Sequence, residues 1–436
     1  MLPGPDHSDA FRRARLLNWF PLGLAYMFLY AGRYNINPAK ETLSGLIGGN
    51  AGLGTINTVG AIVYGVSFLL NGPLTERIGG QRAMILATLG SALSNVLIGA
   101  FVLSSDHAHA LTVLSVLYGL NMYFQSFGAV SIVKVNAAWF HVSERGRFGG
   151  YFGIMISTGL FLAYTVEPIV FDYLFPGRSH LYFFAPAGVL VAMGLCTLLF
   201  IRDIPSQKGH LDFETGSASE FGGDRPLGVV EIFARILGNR VVLTIAFIEL
   251  CTGVLRNGVA AWYGAYANQV GAPGLRAALG FGLWAAGVFG GLVAGYLSDK
   301  VFHSRRPPVA GLLYAAMIAL TALGSAVIFL GGRSPLVPYL VFGIVVGISF
   351  CVIGTHGVLS GTAAADFGGK RATATAVGII DGFVYLGVAI QSQGIGYLST
   401  RGWTTWFPFL VPFAVVGLVL CTRIWHARPS TSKAAH

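Results

Sequence analysis

Long apolar segments recur from one end of the chain to the other, and they limit its possible folds more than any other feature. Many of them reach roughly 18 residues or more, which is long enough for a helix to cross a lipid bilayer. Charged residues make up only 11% of the chain, against about 25% in a typical soluble protein. The sequence therefore predicts an all-α membrane protein that crosses the bilayer many times.

Twelve transmembrane helices are predicted, with bounds near 17–37, 52–76, 82–104, 110–136, 147–173, 180–201, 240–266, 276–298, 308–330, 336–360, 372–398 and 405–426. Lysine and arginine concentrate in the N-terminal segment, in the loops after spans 2, 4, 8 and 10, and in the C-terminal tail. By the positive-inside rule, this distribution predicts that both termini are cytoplasmic. We expect the protein to lie in the plasma (inner) membrane as a monomer.

A single long polar segment, 202–239, separates spans 6 and 7 and is rich in glycine, serine and charges of both signs. This composition is typical of a linker. We therefore predict an N-terminal six-helix bundle over 1–201, a cytoplasmic linker over 202–239, and a C-terminal six-helix bundle over 240–436.

The two halves of the chain repeat. GPLTERIGGQR (72–82) after span 2 is echoed by GYLSDKVFHSRR (295–306) after span 8. Three pairs share one offset of 223 positions, namely Arg33 with Arg256, Glu76 with Asp299, and Arg77 with Lys300. Parallel repeats related by an axis along the membrane normal are one plan of secondary transporters. The four loop residues among these pairs are predicted to form a conformational latch between helix ends.

Arg33 lies deep inside span 1, where bilayer interior penalises a charged side chain by about 2.5–3.5 kcal/mol on insertion scales. Such a residue is expected to face a watery cavity that holds an anion. Tyr26 and Tyr30 before Arg33, and Asn37 after it, lie at helical spacing from it and share its face. This face is predicted to line a binding site for a negatively charged substrate.

On span 7, Glu249, Thr252, Arg256 and Tyr263 also lie at helical spacing. A guanidinium group offers a planar fork of donors that matches phosphate or carboxylate oxygens, so two forks from opposing halves suit one dianion. The competing interpretation is that each arginine pairs with a carboxylate of its own half. Glu249, two turns before Arg256, is the candidate for that pairing.

Four other polar residues lie inside apolar spans. Lys134 in span 4 is predicted to add a third cation to the cavity, or else to extend toward the cytoplasmic surface. Asp381 in span 11 is a candidate for charge balance or proton transfer, as is Glu249. His356 in span 10 is predicted to touch the substrate, with simple packing as the alternative. Glu167, near the end of span 5, is interpreted as an interfacial carboxylate.

No nucleophile with a paired base, phosphate-cradling glycine loop or metal-ligand spacing stands out, so we expect no cofactor, no metal site and no enzymatic activity. The four cysteines lie in apolar runs and are interpreted as buried small side chains. The basic residues behind the net charge of +10 are distributed as membrane topology predicts. We therefore expect no nucleic-acid partner.

The loop motif over 72–82, with its partial copy over 295–306, resembles the G-x-x-x-D/E-R/K-x-G-x-R/K loop of the major facilitator superfamily. Within it, the chain resembles the organophosphate:phosphate antiporters, which include glycerol-3-phosphate, hexose-phosphate and animal sugar-phosphate exchangers. The local matches are GRYN (32–35), LNMYFQSFG…K…AAWF…ERG (120–146), LRNGVAAWYGAY (255–266) and AADFGGKRATATAVGIIDG (364–382). The resemblance implies two pseudo-symmetric bundles, phosphoryl binding by Arg33 and Arg256, and exchange against inorganic phosphate.

The chain departs from that family at several positions. Ala129 and Val130 replace its Trp-Pro, Ala138 replaces a histidine, and Phe68 replaces a lysine. No particular organic phosphate is therefore predicted. Two alternatives stay open: a proton-coupled symporter or antiporter of another organic anion or a drug, and a sensor on the same fold that binds without transport.

Overall fold

The computed structural model describes residues 7–213, 238–303, 305–332, 334–363 and 373–427, and this part of the chain is helical with no strand. The N-terminal helices are α1 (Asp9–Tyr34), α2 (Ile36–Ile47), α3 (Gly49–Ile78), α4 (Gly80–Leu103), α5 (Ala110–Trp139), α6 (Val142–Phe161) and α7 (Leu181–Phe200). The C-terminal helices are α8 (Arg240–Ala260), α9 (Tyr263–Gln269), α10 (Pro273–Tyr296), α11 (Arg306–Leu330), α12 (Val337–His356), α13 (Thr373–Leu398) and α14 (Trp406–Arg423).

Several spans continue past a regular α-helix. Span 5 runs from α6 through two π-helical segments, Leu162–Val166 and Ile169–Leu174. Spans 8 and 10 end in the π-helical segments Leu297–Val301 and Gly357–Ala363. Span 7 is interrupted between α8 and α9. π-Helical turns are frequent at functional sites, and the apolar periodicity of the sequence did not reveal them.

Ten helical stretches of the described chain are long and apolar enough to cross a membrane. The other two predicted spans correspond to α1, which carries four arginines, and to α13, which carries Asp381. The all-α membrane fold with twelve spans, predicted from the apolar runs, is thus confirmed. The twelve-residue helix α2 was not predicted as a separate element. It ends where Gly48 and Gly49 adopt φ values of 75° and 66°, which reverse the chain into α3.

The helices pack as two bundles. In the N-terminal bundle, α4 packs on α5 and α7, α3 on α5, and α1 on α6 and α7. In the C-terminal bundle, α8 packs on α12, α13 and α14, while α11 packs on α12 and α14 and α10 on α12. The bundles meet where α3 packs along α13 and where α6 packs along α10.

Glycines allow the closest approach between the bundles. A Cβ atom built on Gly54 of α3 would lie 2.5 Å from the carbonyl oxygen of Ser392, and one on Gly396 would lie 2.9 Å from the Cα of Gly54. Small residues at this interface let two backbones touch, as they do in other membrane helix pairs. This contact brings the side chains of α3 close to those of α13 at the interface between the two bundles.

Most of the predicted linker lies outside the described residues, as do the basic loop at Lys370 and Arg371 and the first part of the matched segment 364–382. The described start of the linker is held to the N-terminal bundle. The side chain of Asn18 donates to the carbonyl oxygen of Arg202 at 3.1 Å and accepts from its amide at 2.7 Å, and Trp139 donates to the same carbonyl at 2.9 Å. The domain bounds at 201 and 240 stay predictions.

Candidate anion site between the two bundles

Arg33 is buried in the N-terminal bundle, with 1% of its surface exposed. Its guanidinium group donates to the Gln125 amide oxygen at 3.2 Å, to the Tyr385 hydroxyl at 3.0 Å and to the Tyr64 hydroxyl at 3.3 Å. It also lies 4.7 Å from the ring centroids of Tyr30 and Tyr64. These partners are all neutral. The positive charge is therefore solvated by hydroxyl, amide and aromatic groups rather than cancelled by a carboxylate.

A second layer of hydrogen bonds fixes the Arg33 segment. Gln125 donates to the carbonyl oxygen of Leu29 at 3.0 Å and to the Ser91 hydroxyl at 2.7 Å. The Tyr118 hydroxyl donates to the carbonyl oxygen of Arg33 itself at 2.9 Å. Because these groups are buried and satisfied, they hold Arg33 in one orientation.

Arg256 extends from α8 of the opposite bundle to the same place. The hydroxyl groups of Tyr30, Tyr34 and Tyr385 lie within its electrostatic reach. Tyr30 and Tyr385 therefore lie near both guanidinium groups. The structure therefore brings together the two arginines that the sequence repeat paired, one from each bundle.

Glu249 does not take the partner that the competing interpretation assigned to it. Its carboxylate forms a 2.8 Å hydrogen bond with Nδ1 of His356, across from α8 to the end of α12. Glu249 is fully buried, and its Oε1 atom has no hydrogen-bond partner. Asp381 accepts a hydrogen bond from Ser360 at 2.8 Å. Arg256 acts electrostatically on both His356 and Asp381.

Three predicted tyrosine and asparagine positions have different surroundings. Tyr26 packs edge-to-face on Tyr30, with ring centroids 5.4 Å apart, beside the arginine pair. Asn37 lies in α2, where it donates to the Tyr164 hydroxyl at 3.0 Å. Tyr263 donates to the carbonyl oxygen of Pro338 at 3.3 Å and packs within the C-terminal bundle. Tyr26 therefore lies beside the arginine pair, whereas the contacts of Tyr263 are structural.

Lys134 forms an ion pair with Glu76 in the last turn of α3, and a third of the Lys134 side chain is exposed. In the π-helical end of span 8, Asp299 accepts a hydrogen bond from Arg306 at 3.2 Å. Arg77 and Lys300 are exposed. The structure thus places Lys134 in contact with Glu76, a residue of the predicted latch, rather than with the arginine pair. Its role as a third cavity cation stays a prediction.

A small cavity lies on the face opposite the termini, and Asn37, Tyr164 and Arg276 contribute to its lining. Arg276 at the start of α10 forms a 2.8 Å ion pair with Asp172 and donates to the carbonyl oxygen of Pro38 at 2.8 Å. Both partners belong to the N-terminal bundle, so this contact ties the two bundles together.

The sequence did not reveal Gln125, Tyr64 and Tyr385 as partners of Arg33, and it did not single out Arg276. One signal was available for Tyr385, which lies one helical turn after Asp381 and shares its face. Across the described ranges, no cluster of histidine, cysteine, aspartate and glutamate has the geometry to hold a metal ion.

Residues 22–392 match the sequence model of the Major Facilitator Superfamily. The chain belongs to the major facilitator superfamily. Three relatives cover nearly all of it, and each is 26% identical to it. A probable hexose phosphate transport protein of Chlamydia trachomatis aligns over 95% of this chain and 91% of its own length. A glycerol-3-phosphate transporter of Bacillus subtilis aligns over 96% and 94%, and the membrane sensor protein UhpC of Escherichia coli over 93% and 91%.

Among solved structures of this superfamily, the chain is similar to a bacterial homologue of the human lysosomal transporter Spinster in an inward-facing, unoccupied conformation. The TM-score is 0.66 over 96% of both chains, at 15% identity, which supports the fold alone. The names of the sequence relatives confirm the resemblance to sugar-phosphate and glycerol-phosphate transporters. Family and relatives place this multi-pass membrane protein among transport proteins rather than enzymes.

Proposed function

We propose that this protein is a secondary transporter that exchanges an organic phosphate for inorganic phosphate by alternating access. The observation that carries the proposal is the meeting of Arg33 and Arg256, from opposite bundles, at Tyr30. A phosphate group bridging the two guanidinium groups would bind both bundles at once. Its arrival and departure would then control how the bundles move relative to each other.

Exchange follows from the cost of burying charge. The hydrogen-bond partners of Arg33 are neutral, so a closed and empty cavity would hold its positive charge away from water without a counter-ion. An anion bound by charge-assisted, bidentate hydrogen bonds offsets that cost. The transporter would therefore switch readily between its inward-facing and outward-facing states when loaded, and slowly when empty. This difference is the condition for coupled exchange.

The class of substrate is inferred from two sources. The paired guanidinium groups suit a phosphoryl dianion, and the relatives are named for hexose phosphate and glycerol-3-phosphate. We assign an organic phosphate of this class as substrate, and a monomer in the plasma membrane with both termini cytoplasmic. The cavity beside Arg276 would then be the entry from outside.

The test is the variant Arg33→Lys, which keeps the charge but loses the planar fork. Loss of one charge-assisted hydrogen-bonding unit costs roughly 1.5–3 kcal/mol, so affinity for phosphate should fall by about 10- to 100-fold. The assay is exchange of labelled inorganic phosphate by purified protein in liposomes. Arg15→Lys is a matched control on the same helix, since Arg15 forms a half-buried ion pair with Glu144. Near-normal exchange by Arg33→Lys would contradict the proposal.

A second candidate is a sensor that binds the same anion without transporting it, because one relative of equal identity is named a membrane sensor protein. The two functions separate in one experiment. A transporter exchanges labelled phosphate across the liposome membrane, whereas a sensor binds phosphate to saturation with no flux above that of protein-free liposomes.

A further inference from the structure

The hydrogen-bonded pair of Glu249 and His356 is a buried ionisable unit next to the anion site. Its carboxylate is fully buried and one of its oxygens has no hydrogen-bond partner, while 28% of the histidine side chain is exposed. A buried carboxylate that is ionised and incompletely paired is costly. In this arrangement a single proton, shared by the two side chains, cancels the charge of the pair, and the partly exposed histidine gives that proton access to water.

Among the described residues, few other charges surround the pair. The described titratable and charged groups that face it from its own helix and from the helices packed on it are Cys251 and Arg256 of α8, Tyr314 of α11, Asp381 of α13 and Cys421 of α14. The Tyr314 hydroxyl is occupied by the Ile248 carbonyl oxygen and the Thr252 hydroxyl. Of these described groups, Arg256 and Asp381 are the ions that act on the pair.

The net charge of the described residues at the centre depends on whether the pair of Glu249 and His356 holds a proton. Arg33 and Arg256 contribute two positive charges and ionised Asp381 removes one, which leaves one positive charge. The protonated pair of Glu249 and His356 is neutral and leaves this excess in place. The deprotonated pair carries one negative charge and cancels it. The proton on the pair thus decides whether the empty cavity is charged or neutral.

We propose that the pair of Glu249 and His356 is a proton-binding site that sets the mode of transport, an inference that rests on the proposed phosphate transport. With the proton bound, the empty cavity keeps a positive charge and resists closing, so transport is strict exchange. Without it, the empty cavity is neutral and closes, so net transport becomes possible. Each net cycle then carries one proton on the pair together with one phosphate group, and both are released to water on the side where the cavity opens.

The experiment compares two rates in liposomes at equal pH on both sides, from pH 5.5 to 8.5. One is exchange of labelled inorganic phosphate against internal phosphate, and the other is net efflux of labelled phosphate into phosphate-free buffer. In the wild type, the ratio of net efflux to exchange should rise with pH by up to about tenfold per unit, as a single proton allows. A trapped pH dye should record proton movement during net efflux and none during exchange.

Glu249→Gln removes the negative charge that the deprotonated pair would carry, so it should keep the ratio low at every pH while exchange continues. Phosphate itself titrates in this range, but it does so equally for both proteins, so the difference between them isolates the pair. Asp106→Asn in an exposed loop is the matched carboxylate-to-amide control and should follow the wild type. A ratio independent of pH in the wild type, or a Glu249→Gln profile that rises like the wild type, would overturn the proton site. Absence of exchange in the wild type at all pH values would instead refute the proposed function.

Discussion

Asp172→Asn is expected to loosen the contact that closes the face opposite the termini. Asp172 of the N-terminal bundle pairs with Arg276 of the C-terminal bundle at 2.8 Å and accepts a hydrogen bond from Tyr182 at 2.8 Å. For this face to open, α10 must separate from the end of span 5, and the ion pair must break. The asparagine keeps the size of the side chain and an acceptor oxygen, so the change removes mainly the charge.

The magnitude follows from the exposure of the pair. A hydrogen bond to a charged group contributes about 1.5–3 kcal/mol when protected from water, whereas a fully exposed ion pair contributes roughly 0–1 kcal/mol. The side chains of Arg276 and Asp172 are 14% and 27% exposed, which favours a value near the lower end of the first range, about 1.5 kcal/mol. Since about 1.4 kcal/mol corresponds to a factor of ten, the population open on this face should rise roughly tenfold.

The assay is the distance between two spin labels on this face, one in each bundle. Asp106 and Thr400 lie in exposed loops and are suitable label sites, in a variant whose four native cysteines are replaced by alanine. In Asp172→Asn, the long-distance population measured by pulsed electron resonance should grow at the expense of the short one. Added inorganic phosphate should change that balance in both proteins.

The chain provides a matched control in Glu144→Gln. Glu144 pairs with Arg15 at 3.0 Å, with side chains 28% and 13% exposed, but both residues belong to the N-terminal bundle. This variant loses an ion pair of equal burial that does not cross between bundles, so its distance distribution should match the wild type. If Asp172→Asn also matches the wild type, or if Glu144→Gln opens the face as much, the pair with Arg276 does not control opening.

Three further predictions concern other contacts. Tyr385→Phe removes the hydroxyl that accepts from Arg33 across the bundles and should change the apparent affinity for phosphate in liposome exchange by about 3- to 10-fold; an unchanged affinity would show that this hydrogen bond has no part in binding. Lys134→Met leaves Glu76 without its partner and should lower the exchange rate. If the pairing is structural, adding Glu76→Gln should restore that rate. If Lys134 acts instead as a cation of the cavity, the second substitution should not restore it. Burial lowers the pKa of Lys208, outside the membrane, to about 8; at pH 8 about half of it is neutral, so mass spectrometry should find it acylated by an amine-reactive ester well before exposed lysines.

The sequence alone determined the class of fold, because the length of an apolar run and the absence of charge within it are local properties that the bilayer reads directly. The distribution of arginine and lysine gave a topology by the same local rule. The offset of 223 positions predicts from the sequence alone that Arg33 and Arg256 occupy equivalent places in the two halves. Internal duplication makes equivalent positions of two halves equivalent in space, which is why a repeat in the sequence could predict a pair across the protein.

Only the tertiary structure decided which charged and polar side chains pair with each other. Glu249 lies two turns from Arg256 on the same helix, yet it bonds to His356 on α12, and Lys134 bonds to Glu76 rather than facing the arginines. Helical spacing fixes which residues share a face, but it carries no information about which neighbouring helix presents a partner to that face. Tyr64 and Tyr385 become ligands of Arg33 because glycines allow α3 and α13 to touch. The charge balance of the cavity is therefore a property of helix packing between and within the bundles.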